Sequence, residues 1–161
     1  MSTDYPGSQG GAAIGARLRR LSDRIDREAD RLYRDLDQPF QQRWYGVVNQ
    51  LHVRGPLSVS ELAAILSVTH AAVSQARAGL AEQGLIVAEA DPADSRRRTL
   101  ALSPAGLALV ERLGPFWRAL NAAAAELDRE AGAVVEALGR LEAALDRRSL
   151  VERVREAETR A

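Results

Sequence analysis

The chain has no cysteine and no lysine among its 161 residues. The first absence excludes disulfides, cysteine-ligated zinc and thiol redox sensing. The second makes all 22 basic residues arginine, a usage that a GC-rich coding bias explains as readily as any chemical demand. Aromatic residues are only 4% of a chain that is 46% hydrophobic; alanine supplies much of that apolar content and favours helix. No apolar run approaches the roughly 18 residues of a membrane span. The N-terminus lacks a signal-peptide core, so a soluble, cytoplasmic protein is expected. Catalytic signatures are missing too: there is no GxxxxGKS/T, no HExxH and no GxSxG. Gly7, Gly10 and Gly11 follow no strand and read as linker rather than a nucleotide loop. His52 and His70, the only histidines, lie on different elements without a carboxylate four residues on, so no metal site is expected. Neither an enzyme nor a cofactor is predicted.

Formal net charge is zero, with 22 acidic residues against the 22 arginines. The charges segregate: Arg96, Arg97 and Arg98 cluster, whereas Asp and Glu alternate with Arg towards both ends. Paired acids such as Asp26/Asp30 and Asp35/Asp37 belong to those alternating helix faces. Four regions follow. Residues 1–11 read as a disordered tail, and 12–38 as an N-terminal helix with a stripe of Leu18, Leu21, Ile25, Leu32 and Leu36. Residues 39–103 hold the central part, whose first helix starts at Pro39 and runs to about Val53. Residues 104–161 form C-terminal helices, one to about Leu127, interrupted or kinked at Gly114-Pro115, and one from about Arg129 to Ala157.

The most informative stretch is Gly55 to Gly84, GPLSVSELAAILSVTHAAVSQARAGLAEQG. Ser58 and Glu61 have the spacing of a capping box and open a short helix carrying Leu62, Ala63, Ile65 and Leu66. Ser67-Val68-Thr69 breaks it and supplies a cap for a second helix, with Ala72, Val73, Ala76 and Leu80 on its apolar side and Gly84 at its end. That is a helix-turn-helix, whose second helix can enter the DNA major groove. A strand at 85–90, a turn at 91–95 and a second strand at 96–102 then make a hairpin wing with arginines at its tip. Ser103 caps the next helix, with Pro104 in its first turn.

Over Gly55 to Gly106 the chain resembles the MarR family of winged-helix transcriptional regulators. The motifs are GPLSVSELA, SVTHAAVSQ, the GLI step into the wing, DPADSR and the LSPAG exit. The resemblance implies a mostly α winged helix-turn-helix with a small β-hairpin wing, dimerised through N- and C-terminal helices. It further implies transcription regulation, most simply repression, through an operator on double-stranded DNA, with release by a small, often anionic aromatic effector. From the pattern alone, the terminal apolar stripes fit either a homodimer or a bundle within one chain. A two-fold dimer would read half-sites about 10 bp apart, a pseudo-palindrome.

Thr69 and His70 at the start of the second helix are candidate phosphate contacts, against a bland role in capping. Ser74 and Gln75 lie one turn on, where Gln can bridge adenine N6 and N7; Arg77 could reach a guanine or a phosphate, or pair with Glu82. Ala78 and Gly79 fall where relatives often carry basic or long polar side chains, and Gly79 costs about 1 kcal/mol relative to alanine. By resemblance, Arg96 enters the minor groove and Asp94 orients it, with Arg97 and Arg98 adding charge; a bare Asp94–Arg96 turn pair is the alternative. Effector-lining candidates, again by resemblance, are Trp44, His52, Phe116 and Trp117, each also explicable as packing. The competing function is a winged-helix docking module that binds protein rather than specific DNA.

Overall fold

The computed structural model describes residues 10–90 and 98–160. A 3₁₀ turn at Gly10–Ala13 leads into helix α1, Ile14–Asp35, so the expected tail gives way to structure by Gly10. Ala29 and Tyr33, one turn apart, are the buried residues of α1. The predicted stripe is on the surface: Leu18, Leu21, Ile25, Leu32 and Leu36 are all exposed, Ile25 by 54%. With Ile14 they fall at spacings of three, four and seven residues, so they share one exposed apolar face.

The next helix begins later than Pro39. Gln41 is extended, a 3₁₀ turn covers Gln42–Trp44, and α2 runs Tyr45–Arg54. The delay has a cause in α1. The Gln42 amide donates to Asp30 Oδ1 at 2.8 Å, and Tyr33 Oη donates to Gln42 Oε1 at 2.9 Å, pinning the connection before it can coil.

Helix α3, Val59–Leu66, opens with the predicted capping box: Glu61 N–H donates to Ser58 Oγ and Ser58 N–H to Glu61 Oε2. Ser67, left-handed at φ 53°, ends it. Helix α4, His70–Glu82, is capped by Thr69, whose Oγ1 accepts from Ala72 N–H at 3.2 Å. Val73, Ala76 and Leu80 are its buried face, but Ala72, assigned to that face from sequence, is exposed. At 3.6 residues per turn it lies on the flank of the other three.

Strands β1, Ile86–Ala90, and β2, Arg98–Leu102, pair antiparallel from Ile86↔Leu102 to Ala90↔Arg98. The wing is anchored at its base by a bridge the sequence did not reveal, in which Leu57 and Leu100 exchange both backbone hydrogen bonds, at 3.0 and 2.8 Å. The core beneath consists of Val47, Val48 and Leu51, Leu62 and Ala63, Val73, Ala76 and Leu80, closed by Ile86, Leu100 and Leu109.

At the wing's exit the backbone comes close to itself. Ser103 Oγ donates to the Gly84 carbonyl at 2.6 Å and accepts from Gly106 N–H at 3.0 Å, while Ser103 N–H donates to the Leu85 carbonyl. A Cβ on Gly106 would stand 2.1 Å from Leu85 O, so only glycine fits. Helix α5, Pro104–Glu130, starts here and continues as one helix past Gly114-Pro115, so the expected interruption is absent while Pro115 sits within the helix.

The chain divides into two compact units, with the boundary between Arg112 and Leu113. Beyond α5 the second unit holds two helices rather than one, α6 at Val134–Arg147 and α7 at Leu150–Arg160. Gly132 and Ala133, both at positive φ, precede α6, and Val135 N–H donates to Asp128 Oδ1. Ser149 opens α7 with a second capping box on Glu152, whose carboxyl is held below the usual range by hydrogen bonds from the Ser149 side chain and backbone. The Arg148–Glu156 ion pair, 2.7 Å, spans the break. Val134, Val135, Leu145, Leu150, Val151 and Val154 are exposed.

Two glycine substitutions should act oppositely. Gly106→Ala forces a Cβ onto a carbonyl and should lower stability by roughly 1–3 kcal/mol or more. Gly139→Ala in α6, where a Cβ would meet nothing within 4 Å, should raise it by up to about 1 kcal/mol. Urea titration followed by circular dichroism measures both.

Candidate nucleic-acid interface

The surface of α4 is set by what its inner face must do. Val73, Ala76 and Leu80 are committed to the core, so helical periodicity turns Ala71, Gln75 and Ala78 directly away from it, with the half-buried Ser74 beside them. Gln75 is exposed on this outward face with hydrogen-bonding reach, and the acidic Glu82 closes the same ridge at the end of the helix. His70, in the first turn, is exposed beside the Thr69 cap. Arg77 is exposed as well, but its position puts it on the flank rather than on the outward ridge. A guanidinium there is placed for a phosphate at the groove's edge better than for a base at its floor.

Arg98, exposed at the start of β2, is the described end of the wing's arginine run. Its partner in the ladder is Ala90. Asp94, Arg96 and Arg97 lie outside the described residues.

The four effector candidates are divided between the two units. Trp44 is 5% exposed and its indole lies on Gly79 of α4: a Cβ added there would sit 2.4 Å from Cζ2. His52 is exposed in the last turn of α2. In the second unit Trp117 is buried and Phe116 half-buried. Trp44 is thus packed in the core.

A shallow cleft of about 310 Å³ lies along α1, lined by Asp23, Asp26, Arg27, Asp30, Gln41 and Arg43. Partial burial, then the neighbouring Asp30 and Asp23, push the Asp26 carboxyl above its ordinary range, against the opposing pull of Arg43. Asp30 is already engaged with the Gln42 amide. Among the described residues no group of three or more His, Cys, Asp or Glu side chains is arranged to hold a metal ion, and no helix is long and apolar enough to cross a membrane.

A capped helix pair with a free outward face, a hairpin anchored at Leu57 and an arginine at the hairpin's described end define a winged helix-turn-helix. Residues 38–97 match the family model for the MarR family, and over that segment the chain is similar to that family. No curated relative matches it.

Solved structures share the fold. A probable transcriptional regulator from Pseudomonas aeruginosa is 26% identical, with 80% of this chain and 96% of that one covered and a TM-score of 0.63. BpsR of Bordetella bronchiseptica, whose DNA binding is regulated by 6-hydroxynicotinic acid, is 24% identical over 80% and 92%, TM-score 0.61. MepR of S. aureus, solved with DNA, is 20% identical over 82% and 98%, TM-score 0.66.

The acidic cleft gives a signed prediction. Because the folded value of Asp26 lies above the unfolded one, its ionisation opposes folding. That opposition is complete at neutral pH and vanishes below the ordinary carboxylate range. Asp26→Asn should therefore raise the melting temperature at pH 7, with the gain shrinking to nothing as pH falls below about 3.5. Melting curves between pH 3 and pH 7 check this.

Proposed function

We propose that the chain is a repressor that holds a pseudo-palindromic operator as a homodimer and lets go when a small aromatic or anionic effector binds. The observation that carries the reading is the outward face of α4. It is free of core duties, capped by Thr69 and exposes Gln75, with Arg98 of the wing exposed as well. MepR, of the same fold, is solved with DNA, which supports a duplex as the partner. BpsR's regulation by 6-hydroxynicotinic acid supports an effector of that chemistry.

In this reading the Thr69 hydroxyl and His70 meet phosphate at the helix N-terminus, and Ser74 and Gln75 address base edges. Gln75 is suited to adenine, and Arg77 holds the backbone at the groove's rim. Arg98 and Arg97 supply phosphate contacts from the wing, while Arg96, oriented by Asp94, enters the minor groove, where narrow A·T-rich sequence concentrates negative potential. The homodimer rests on the exposed apolar seam of α1 and the exposed valines and leucines of α6 and α7, each a surface that water disfavours.

The low charge of the α4 outward face favours one other reading, a docking module for protein. Salt separates the two: several phosphate contacts make duplex affinity fall steeply between 50 and 200 mM salt, whereas a docking wing has no selective duplex affinity.

Fluorescence anisotropy on the duplex upstream of the chain's own gene, against a shuffled duplex, tests the reading. Selective, salt-steep binding is expected. Gln75→Ala should cost about 1–3 kcal/mol and relax preference at one base pair per half-site. Arg96→Ala should weaken both duplexes and flatten the salt slope without changing the circular dichroism spectrum. Leu21→Glu with Ile25→Glu should halve the mass seen by sedimentation.

A further inference from the structure

Helix α4 meets the rest of its unit at one place where nothing can give. Gly79 leaves a notch on the inner side of α4, and the Trp44 indole fills it: a Cβ on Gly79 would lie 2.4 Å from Cζ2, 2.9 Å from Cε2 and 3.3 Å from Cη2. The indole also packs on a second ring. Phe40 packs edge-on against it with ring centres 5.7 Å apart, and Tyr33 tilts onto Phe40 at 4.9 Å. Tyr33 is fully buried on α1, and its hydroxyl donates to Gln42, whose own amide is held by Asp30. Trp44 is therefore part of a run of packed rings that reaches α1.

Its Nε1 is buried and has no hydrogen-bond partner among the described residues. The indole is placed by shape, not by a polar contact.

We propose that Trp44 is the positioning residue of the recognition helix. Its outer ring edge, seated in the Gly79 notch, sets how far α4 stands from the body and so how its outward face meets base edges. The inference rests on the DNA-binding reading above. A hydrogen bond to a base edge tolerates only a few tenths of an ångström before it fails, whereas long arginine side chains follow a phosphate over larger displacements. Pushing α4 outward by about an ångström, what the added Cβ needs to reach ordinary contact distance from Cζ2, therefore removes sequence selectivity while leaving non-selective duplex binding. Because the indole N–H makes no bond there, Trp44→Phe, which removes the outer ring atoms, relieves the crowding without orphaning a polar partner.

The test selects a duplex from a randomised pool with the unaltered protein, then measures anisotropy on that duplex and on a shuffled one at 25 °C. Melting curves confirm that each variant is folded there. Gly79→Ala should lose about 10- to 100-fold on the selected duplex, the scale of one lost bidentate base contact, with less than a few-fold change on the shuffled one. Adding Trp44→Phe to Gly79→Ala should restore most of the selectivity.

If Gly79→Ala does not fold, Trp44→Phe alone decides. The notch then stands unfilled, and selectivity should fall several-fold with shuffled binding unchanged. Lowered melting temperature with selectivity intact would make Trp44 a stability residue and overturn the proposal, as would a folded double variant that regains nothing. No selective duplex for the unaltered protein would overturn the DNA-binding reading itself, and the proposal with it.

Discussion

The Leu85 carbonyl lies against the first turn of α5 where only a glycine fits, and much else depends on that approach. Ser103 caps α5 and at the same time donates to the Gly84 carbonyl at the end of the recognition helix. One hydroxyl therefore joins the end of α4, the entry to β1 and the exit from β2. With Gly106 pressed against Leu85, strand register and the direction in which α5 departs are set together. The Leu57–Leu100 bridge fixes the same strand from the opposite side. Arg98 is thus carried on a hairpin held at its base by backbone contacts, which do not vary with side-chain rotamer.

The charge distribution suits a protein whose specificity is shaped by geometry. The net charge is zero, and the outward face of α4 offers the Gln75 amide, the half-buried Ser74 hydroxyl, the Glu82 carboxylate and small side chains. Few groups are available to meet bases, so each depends on where the helix is placed. The acidic cleft on α1 lies on a different surface and is built around structural bonds, with Asp30 tying the 39–44 connection in place.

Much of this was legible from local chemistry. The boxes Ser58/Glu61 and Thr69 over Ala72 are short-range patterns, and the structure has them where the residues put them. The hairpin and the Ser103 cap are local too. What escaped was long-range or ambiguous in phase. The Leu57–Leu100 pairing joins segments far apart in the chain. The start of α2 was delayed by hydrogen bonds from α1. The break at Arg148-Ser149 was hidden because the apolar spacing continues across it, and Ser149-Leu150-Val151-Glu152 is a cap signal only once the helix is known to stop. The Asp94, Arg96 and Arg97 assignments lie outside the described residues.

Gly79 shows how a local reading can mislead. Taken alone it is a poor helix residue that costs stability, and a drift towards alanine would look like an improvement. Its reason is a side chain on another element. Positions 44 and 79 consequently share one volume, and a lineage cannot enlarge the second before it has trimmed the first. Substitution order is therefore constrained: the path through a smaller residue at 44 is open, and the path through a larger residue at 79 leads first to a crowded intermediate. Across descendants of this chain the two sites should change as a correlated pair, size traded for size, even though neither side chain faces the groove.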